Sequence, residues 1–297
     1  MKEKKFSPKD RLIAFLKMSR FSNLPTVWSN CLIGIVFAGT CESYPLYFLC
    51  LSALSCYYIA GMFLNDAFDK NWDEQNRPER PIPQGIIAQE TAFIAGWGML
   101  FFANLLSICG NMLYGTFSYA FFFYIAALSA SIFLYNRFHK KNIYSPVLMA
   151  FCRFMIYPVS ASMLQGKASD SICFPALMLA SYILGISYLA RQETCSRILY
   201  RWPLFFLFLP PIYILLSLPM LSPSILFCLI FLGYTLYCSQ GIIRRQGKIA
   251  FYIDCMIAGI SLWDALLLHT LGANISALLA IACFSLTIAS HRFVSGT

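Results

Sequence analysis

Residues 45–85 read PLYFLCLSALSCYYIAGMFLNDAFDKNWDEQNRPERPIPQG, and this stretch decides the fold class. Its first 20 residues carry no charged side chain, and an apolar run of about that length spans a bilayer core as a helix. Five of the 13 acidic residues of the protein then follow within 14 positions: Asp66, Asp69, Asp73, Glu74 and Glu79. The stretch therefore predicts a membrane-spanning helix with an acidic cluster where it leaves the hydrocarbon.

The rest of the chain repeats the apolar pattern. Of its 297 residues, 59% are hydrophobic and 12% are charged, with a mean hydropathy of +0.66, whereas soluble domains carry about 25% charged residues. Strands would need an alternation that these runs lack. We predict an all-α, multi-spanning transmembrane bundle of ten helices, near 22–40, 45–65, 91–109, 113–135, 143–164, 172–190, 202–219, 222–240, 250–270 and 273–291. Nine helices with one irregular segment is the alternative, and four prolines within 203–221 predict a kink.

The net charge of +9 is distributed as a topology signal. Seven Lys/Arg lie in the first 20 residues, and the connections after the second, fourth, sixth and eighth spans each hold three. Lys167 is the only Lys or Arg in the connections on the opposite side of the membrane. Under the positive-inside rule, both termini and every even-numbered connection are cytoplasmic. The charge therefore indicates a cytoplasmic-membrane protein in contact with lipid, and nucleic acid is not an expected partner.

We interpret the chain as one domain over 1–297. Its basic segment 1–20 lacks the apolar core and cleavage site of a signal peptide, so it predicts an interfacial helix. The 12 cysteines are scattered without a CxxC pair, which indicates buried apolar residues and no zinc site. No feature of the sequence indicates a soluble protein partner.

The aspartates of the acidic cluster are spaced so that they lie on one face of a helix. At about 100° per residue, Asp66, Asp69 and Asp73 share an arc of roughly 60°, with Asn65 at its edge. Three carboxylates on one face repel each other unless a cation lies between them. Hard oxygen ligands of this kind suit Mg²⁺, which usually takes one or two carboxylates together with phosphate oxygens of a substrate.

Two arginines follow the cluster in a proline-rich loop. Arg77 and Arg80 are positioned to clamp a phosphate group by bidentate hydrogen bonds. Prolines at 78, 81 and 83 stiffen the loop that carries them. The combination predicts a metal-bound diphosphate at the cytoplasmic end of the second span.

The pattern NDxxDxxxD followed by RPxRPIPxG resembles the first signature of the UbiA-type intramembrane prenyltransferases. The resemblance implies a helical membrane fold with a lateral, lipid-facing cavity, in which Mg²⁺ helps to ionise a polyprenyl diphosphate and the prenyl cation joins an aromatic or other small acceptor. It assigns metal and diphosphate binding to Asn65, Asp66, Asp69 and Asp73. Weaker similarities imply substrate contacts by Arg20 and Asn23 in the entry segment, and by the Tyr135 and Lys140 pair.

The second Asp-rich signature of the family is altered here. The corresponding stretch at the end of the sixth span runs from Tyr188 to Arg197, and Glu193 is the only acid between Asp170 and Asp254. In one interpretation, Arg191 and Arg197, with Arg201 as a further candidate, replace a metal as partners of the diphosphate, and Glu193 orients one of them. In another, catalysis is lost. The segment resembles the divergent Ebo-type branch of the superfamily, and Tyr188 is carried over as a substrate contact.

Arg153 lies about ten residues into the fifth span, where a charge faces a cavity or a partner. Two roles stay open: contact with substrate, or pairing with Asp254 or Asp264. The leading hypothesis is a Mg²⁺-dependent prenyltransferase. The alternatives are a non-catalytic protein that binds or translocates a lipid or prenylated metabolite, and an ion-coupled transporter, whose expected pair of broken helices is not evident.

Overall fold

The computed structural model describes residues 6–39, 44–140, 142–192, 200–219, 222–244 and 248–293, and these parts contain helices and no strand. Eleven α-helices follow in chain order: α1 Pro8–Met18, α2 Leu24–Phe37, α3 Tyr44–Asn76, α4 Gln89–Tyr114, α5 Tyr119–Phe138, α6 Ser145–Gln165, α7 Cys173–Ala190, α8 Pro203–Ser217, α9 Ser224–Arg244, α10 Ile249–Thr270 and α11 Asn274–Ser290. The ten apolar segments predicted from the sequence correspond to α2–α11. The all-helical fold class is confirmed.

Seven of the helices are long and apolar enough to cross a membrane, and the apolar helices at Phe21–Phe37, Pro203–Ser217 and Asn274–Ser290 are shorter. The protein is a multi-pass membrane protein. Helix α8 runs continuously through Pro210 and Pro211. Helix α3 has 33 residues, and at 1.5 Å per residue it is about 50 Å long, which exceeds a hydrocarbon core of about 30 Å. Its acidic C-terminal part therefore extends beyond the core.

The N-terminal segment forms the predicted short helix. Ser7 caps α1 in a reciprocal pair with Asp10, and Pro8 occupies its first turn. Leu12 and Leu16 are exposed on one side of α1. Its buried residues, Ala14 and Met18, pack against α3, α4 and the loop between them. Together they form a small cluster separate from the main core, whose other buried members are Phe63, Ala67, Ile82, Ile87 and Ala92.

Neighbouring helices in the chain pack side by side, and α2 closes the bundle by contacting α3, α6, α10 and α11. The approach of α2 to α6 is close because Gly34 has no side chain: a Cβ there would lie 1.7 Å from Oγ of Ser160. Small residues permit such contacts between membrane helices. The result is that polar residues of α2 face α6 and α10 inside the bundle.

Candidate functional site

A cavity of about 450 Å³ opens between α3, α5, α6, α7 and α10. Its wall has two regions of different chemistry. Charged and polar side chains line one end: Arg20, Asn65, Asp69, Arg77, Arg80, Lys140 and Arg191. The interior is mainly aliphatic: Leu54, Leu128, Ile132, Ile183, Ile186, Ile253, Ile257 and Ile260. A cavity of this kind suits an amphiphile with a charged head and a hydrocarbon tail.

The three aspartates of α3 lie buried on one face of the helix, as the register predicts. Their exposed fractions are 7% for Asp66, 3% for Asp69 and 1% for Asp73. Nη1 of Arg80 lies 3.1 Å from Oδ1 of Asp66 and 2.9 Å from Oδ2 of Asp73. Arg80 therefore returns from the following loop and bridges two of the carboxylates.

Asp69 is the aspartate in the cavity wall, and it pairs with the end of α5. Its Oδ2 lies 3.0 Å from Nζ of Lys140 and 3.2 Å from Nε2 of His139. The Lys140 ammonium also sits 3.7 Å from the ring centroid of Trp72, a cation–π contact. The His139 ring stacks on Tyr135 with centroids 5.0 Å apart.

Asn65 sits beside this group. Its amide nitrogen lies 3.3 Å from Oδ1 of Asn136 and 3.4 Å from Nε2 of His139. His139 and Asn136 were not predicted as site residues. A signal existed, because His139 is four residues after Tyr135 and next to Lys140, and positions four apart share a helix face.

The acidic cluster fits a divalent cation whose shell is completed by a substrate. Oδ1 of Asp73 is buried without a hydrogen-bond partner in the described structure, and the other donors are carboxylate oxygens of Asp66 and Asp69. In the described ranges no group of three or more His, Cys, Asp or Glu side chains is placed to hold a metal ion by itself. Mg²⁺ usually takes one or two carboxylates and finds further oxygens on phosphate and water, so the donor set suits Mg²⁺ bound together with a diphosphate.

Arg20 enters the cavity from the turn before α2. It adopts a left-handed conformation with φ 44°, which is uncommon for a residue with a side chain and typical of functional sites. Burial lowers the pKa of Arg20, but the nearby Asp66, Tyr58, Tyr135 and Asp69 groups together raise it by more, so the net pKa is above the ordinary value. Arg20 is therefore a fixed cation beside the acidic cluster, and Asn23, the last residue of that turn, also lines the cavity.

The end of α7 supplies Arg191 to the opposite wall. Nη1 of Arg191 donates to the carbonyl oxygens of Asn142 at 2.9 Å and Ile143 at 3.2 Å, and to Oγ of Ser145 at 3.2 Å. The hydroxyl of Tyr188 also donates to the Ile143 carbonyl, at 3.2 Å. Both residues hold the connection between α5 and α6, and of the two Arg191 lines the cavity. Glu193 and Arg197 lie outside the described residues.

Arg153 also lines the cavity and is joined to Asp264 through an intermediate residue. Its Nη1 donates to Oδ1 of Asn30 at 3.0 Å, and the amide nitrogen of Asn30 donates to Oδ2 of Asp264 at 2.7 Å. The structure thus links Arg153 to Asp264 only through Asn30, without a direct ion pair, and places the guanidinium in the cavity wall.

Comparison with known proteins agrees with this arrangement. The sequence matches the UbiA prenyltransferase family over residues 27–250. It is 37% identical over 79 residues to digeranylgeranylglyceryl phosphate synthase of Sulfolobus acidocaldarius, covering 27% of this chain and 29% of that protein. With the enzyme of the same name from Methanococcus vannielii it shares 28% over 134 residues, covering 44% and 45%. The chain thus spans less than half the length of the curated relatives it matches.

Two solved structures share the fold. One, described as digeranylgeranylglyceryl phosphate synthase in membranes, superposes with a TM-score of 0.59 at 17% identity, covering 90% of this chain and 99% of that one. The other is a UbiA homolog from Archaeoglobus fulgidus bound to GPP and Mg²⁺, with a TM-score of 0.55 at 15% identity, covering 92% and 99%. At such identities the likeness concerns the fold.

Proposed function

The chain belongs to the UbiA prenyltransferase family, and we propose that it is a Mg²⁺-dependent enzyme that transfers a prenyl group from a prenyl diphosphate to a small acceptor. The observation that carries this proposal is the position of Asp69. This carboxylate lies in the cavity wall, paired with Lys140 and His139, on the same helix face as two further buried aspartates. The charged end suits the diphosphate, and the interior suits the hydrocarbon chain.

In the proposed reaction the C1–O bond of the prenyl diphosphate breaks, pyrophosphate leaves with the electron pair, and the acceptor bonds to C1 and loses a proton. Asp66, Asp69 and Asp73 hold Mg²⁺, with Asn65 orienting the metal or a phosphate. Bound Mg²⁺ supplies positive charge to the leaving pyrophosphate. Arg20, Arg77, Arg80, Lys140 and Arg191 add guanidinium and ammonium groups around the same oxygens, and cations placed before reaction stabilise charge that develops in the transition state.

The ion pairs within the cluster are part of this proposal. Arg80 and Lys140 offset part of the negative charge of the three aspartates before substrate arrives, because buried carboxylates without a cation are costly. With Mg²⁺ and a diphosphate bound, the three carboxylates would hold the metal, and the Arg80 and Lys140 side chains would be free to contact phosphate. Tyr135 and Asn23 lie in the wall around the same volume, and we include them as substrate contacts. Tyr188 and Glu193 stay in the proposal as the substrate contacts expected from the sequence.

The acceptor is a small molecule that reaches the cavity from the membrane. The matched relatives are named digeranylgeranylglyceryl phosphate synthase, so a prenyl glyceryl phosphate is one acceptor to test beside an aromatic one. We place the site on the cytoplasmic side, in one domain, because the basic connections lie at the same end as the acidic cluster.

A second candidate function is binding or translocation of a prenylated lipid without turnover. It is favoured by one observation: in the described part of the chain, the α7 residues of the cavity wall, Ile183, Ile186, Ser187, Ala190 and Arg191, include no carboxylate. A site with carboxylates on one wall offers fewer ligands to the metal ions of a metal-diphosphate than a site with carboxylates on two walls.

Purified protein in lipid nanodiscs with labelled geranyl, farnesyl or geranylgeranyl diphosphate distinguishes the two functions. We expect Mg²⁺-dependent binding and release of pyrophosphate, both lost in Asp69→Asn. Asp170→Asn is the matched control, because Asp170 is exposed in the turn before α7 and is not part of the cavity wall. If the protein binds the diphosphate but releases no pyrophosphate and forms no prenylated product with any acceptor tested, the second function is favoured. Absence of binding refutes both functions.

A further inference from the structure

Arg153 keeps donor capacity that the protein does not use. The residue is 9% exposed, and a guanidinium carries five N–H donors. Nη1 donates to Asn30 at 3.0 Å and Nη2 to Oγ1 of Thr26 at 3.2 Å. Among the described residues no further acceptor bonds to it. The remaining N–H groups of this buried guanidinium have no protein acceptor among the described residues. Because the side chain lines the cavity, a ligand in the cavity can supply the acceptor.

The carboxylate nearest in this network does not pair with Arg153 directly. Oδ2 of Asp264 accepts from Ser29 at 2.5 Å and from Asn30 at 2.7 Å, and Oδ1 accepts from the hydroxyl of Tyr157 at 2.5 Å. These donors satisfy Asp264 and fix the Asn30 amide so that its oxygen faces Arg153. The guanidinium is therefore oriented by neutral oxygens and lacks a direct anionic partner within the described structure, and a buried charge gains most from such a partner.

The position of Arg153 separates it from the diphosphate end. It lies eight residues beyond Ser145 on α6, which is about 12 Å along the helix axis, whereas Ser145 is at the level of Arg191. No hydrogen bond or ion pair of the described chain links Arg153 to the aspartates of α3. Its neighbour in the wall is Tyr58, whose ring centroid lies 5.6 Å from the guanidinium carbon. The acidic cluster already has Arg80 and Lys140, so Arg153 is an additional cation farther inside.

We propose that Arg153 binds an anionic oxygen group, a carboxylate or a phosphate, on the acceptor substrate. This inference rests on the proposed function. The cavity then holds two anions, the diphosphate at the acidic cluster and the anionic group of the acceptor at Arg153, with the bond to be formed between them. The network through Asn30 to Asp264 holds the guanidinium in place, so little reorganisation is needed when the acceptor binds.

The test measures acceptor binding to nanodisc protein loaded with Mg²⁺ and geranyl S-thiolodiphosphate, which does not ionise readily. Two matched pairs of probes are compared: 4-hydroxybenzoate with its methyl ester, and an alkyl glyceryl phosphate with the corresponding alkyl glycerol. In at least one pair we expect the anionic member to bind about 10-fold more tightly, as a charge-assisted hydrogen bond implies. The pair that discriminates identifies the group as carboxylate or phosphate.

Arg153→Gln is expected to abolish that preference and to leave the dissociation constant of the thiolodiphosphate within about two-fold. Arg137→Gln, which removes the same charge from an exposed position at the end of α5, should keep it. The proposal is overturned if neither pair discriminates, if the preference survives in Arg153→Gln, or if that variant loses the thiolodiphosphate instead. Failure of the wild type to bind thiolodiphosphate would refute the proposed function, and the probe pairs can then be compared on unloaded protein.

Arg153→Lys provides a second measurement if Arg153→Gln does not fold, as judged by size-exclusion profile and melting temperature. It keeps the charge but cannot form the planar two-point contact of a guanidinium. We expect the preference for the anionic probe to fall by about three-fold or more, and an unchanged preference would overturn the proposal.

Discussion

Nη1 of Arg80 lies 2.9 Å from Oδ2 of Asp73, a carboxylate that is almost completely buried. The contact folds the loop after α3 back onto the last turn of the same helix. Because Nη1 also reaches Asp66, one guanidinium bridges two of the three aspartates, and the loop and the acidic face depend on each other.

Arg80→Gln should therefore lower the melting temperature of the metal-free protein. The change leaves two buried carboxylates without their cation, at a cost of about 2 kcal/mol. Added Mg²⁺ should recover part of the loss, since a divalent cation compensates the same oxygens. Arg77→Gln is the control, because its guanidinium lies over Trp72 and forms no ion pair in the described structure. Equal melting temperatures for both variants would contradict the bridging role.

Lys140→Met should weaken binding of geranyl S-thiolodiphosphate about 10-fold in the presence of Mg²⁺. The substitution keeps an unbranched side chain of similar length and removes the ammonium that contacts Asp69 and the Trp72 ring. Isothermal titration calorimetry measures the change. Lys167→Met, an exposed lysine on the connection between α6 and α7, is the control. An unchanged affinity in Lys140→Met would place the phosphate away from this lysine.

Much of this site follows from sequence, and the remainder depends on contacts between distant helices. The register of Asp66, Asp69 and Asp73 is a local property of one helix, so it was predictable. His139 was not, because its relation to Asp69 exists only where α5 packs against α3. For Arg153 the sequence left open substrate contact or pairing with Asp254 or Asp264, and it could not show that Asn30 of α2 lies between Arg153 and Asp264.

Arg191 illustrates a different reason. The sequence predicts it as a diphosphate partner, and the structure shows its Nη1 bonded to backbone carbonyls of the connection between α5 and α6. No sequence pattern predicts that the connection between α5 and α6 packs against the end of α7. Its place in the cavity wall is nevertheless the one expected from the family's second signature.

The asymmetry of the two walls predicts metal stoichiometry. Carboxylates line up on α3, whereas the described part of the opposite wall presents Arg191. We expect one tightly bound Mn²⁺ per chain in the presence of geranyl S-thiolodiphosphate, counted by electron paramagnetic resonance, and none in Asp69→Asn. Spin coupling between two equally tight Mn²⁺ ions in the wild type would show that the chain holds a second metal by other ligands.

His291 should make the stability of the protein depend on pH. Its Nε2–H donates to Oδ1 of Asn23 at 2.6 Å, and Nδ1 is buried without a partner in the described structure. Burial lowers the pKa of His291 from 6.5 to about 4, so the unfolded chain binds the proton more readily between these values. The contribution of neutral His291 is complete above pH 6.5 and is lost as the pH falls toward 4. Melting temperatures of the wild type should decline over this window more steeply than those of His291→Gln, which keeps a donor for Asn23. Parallel curves for the two proteins would show that His291 takes up its proton without cost to the fold.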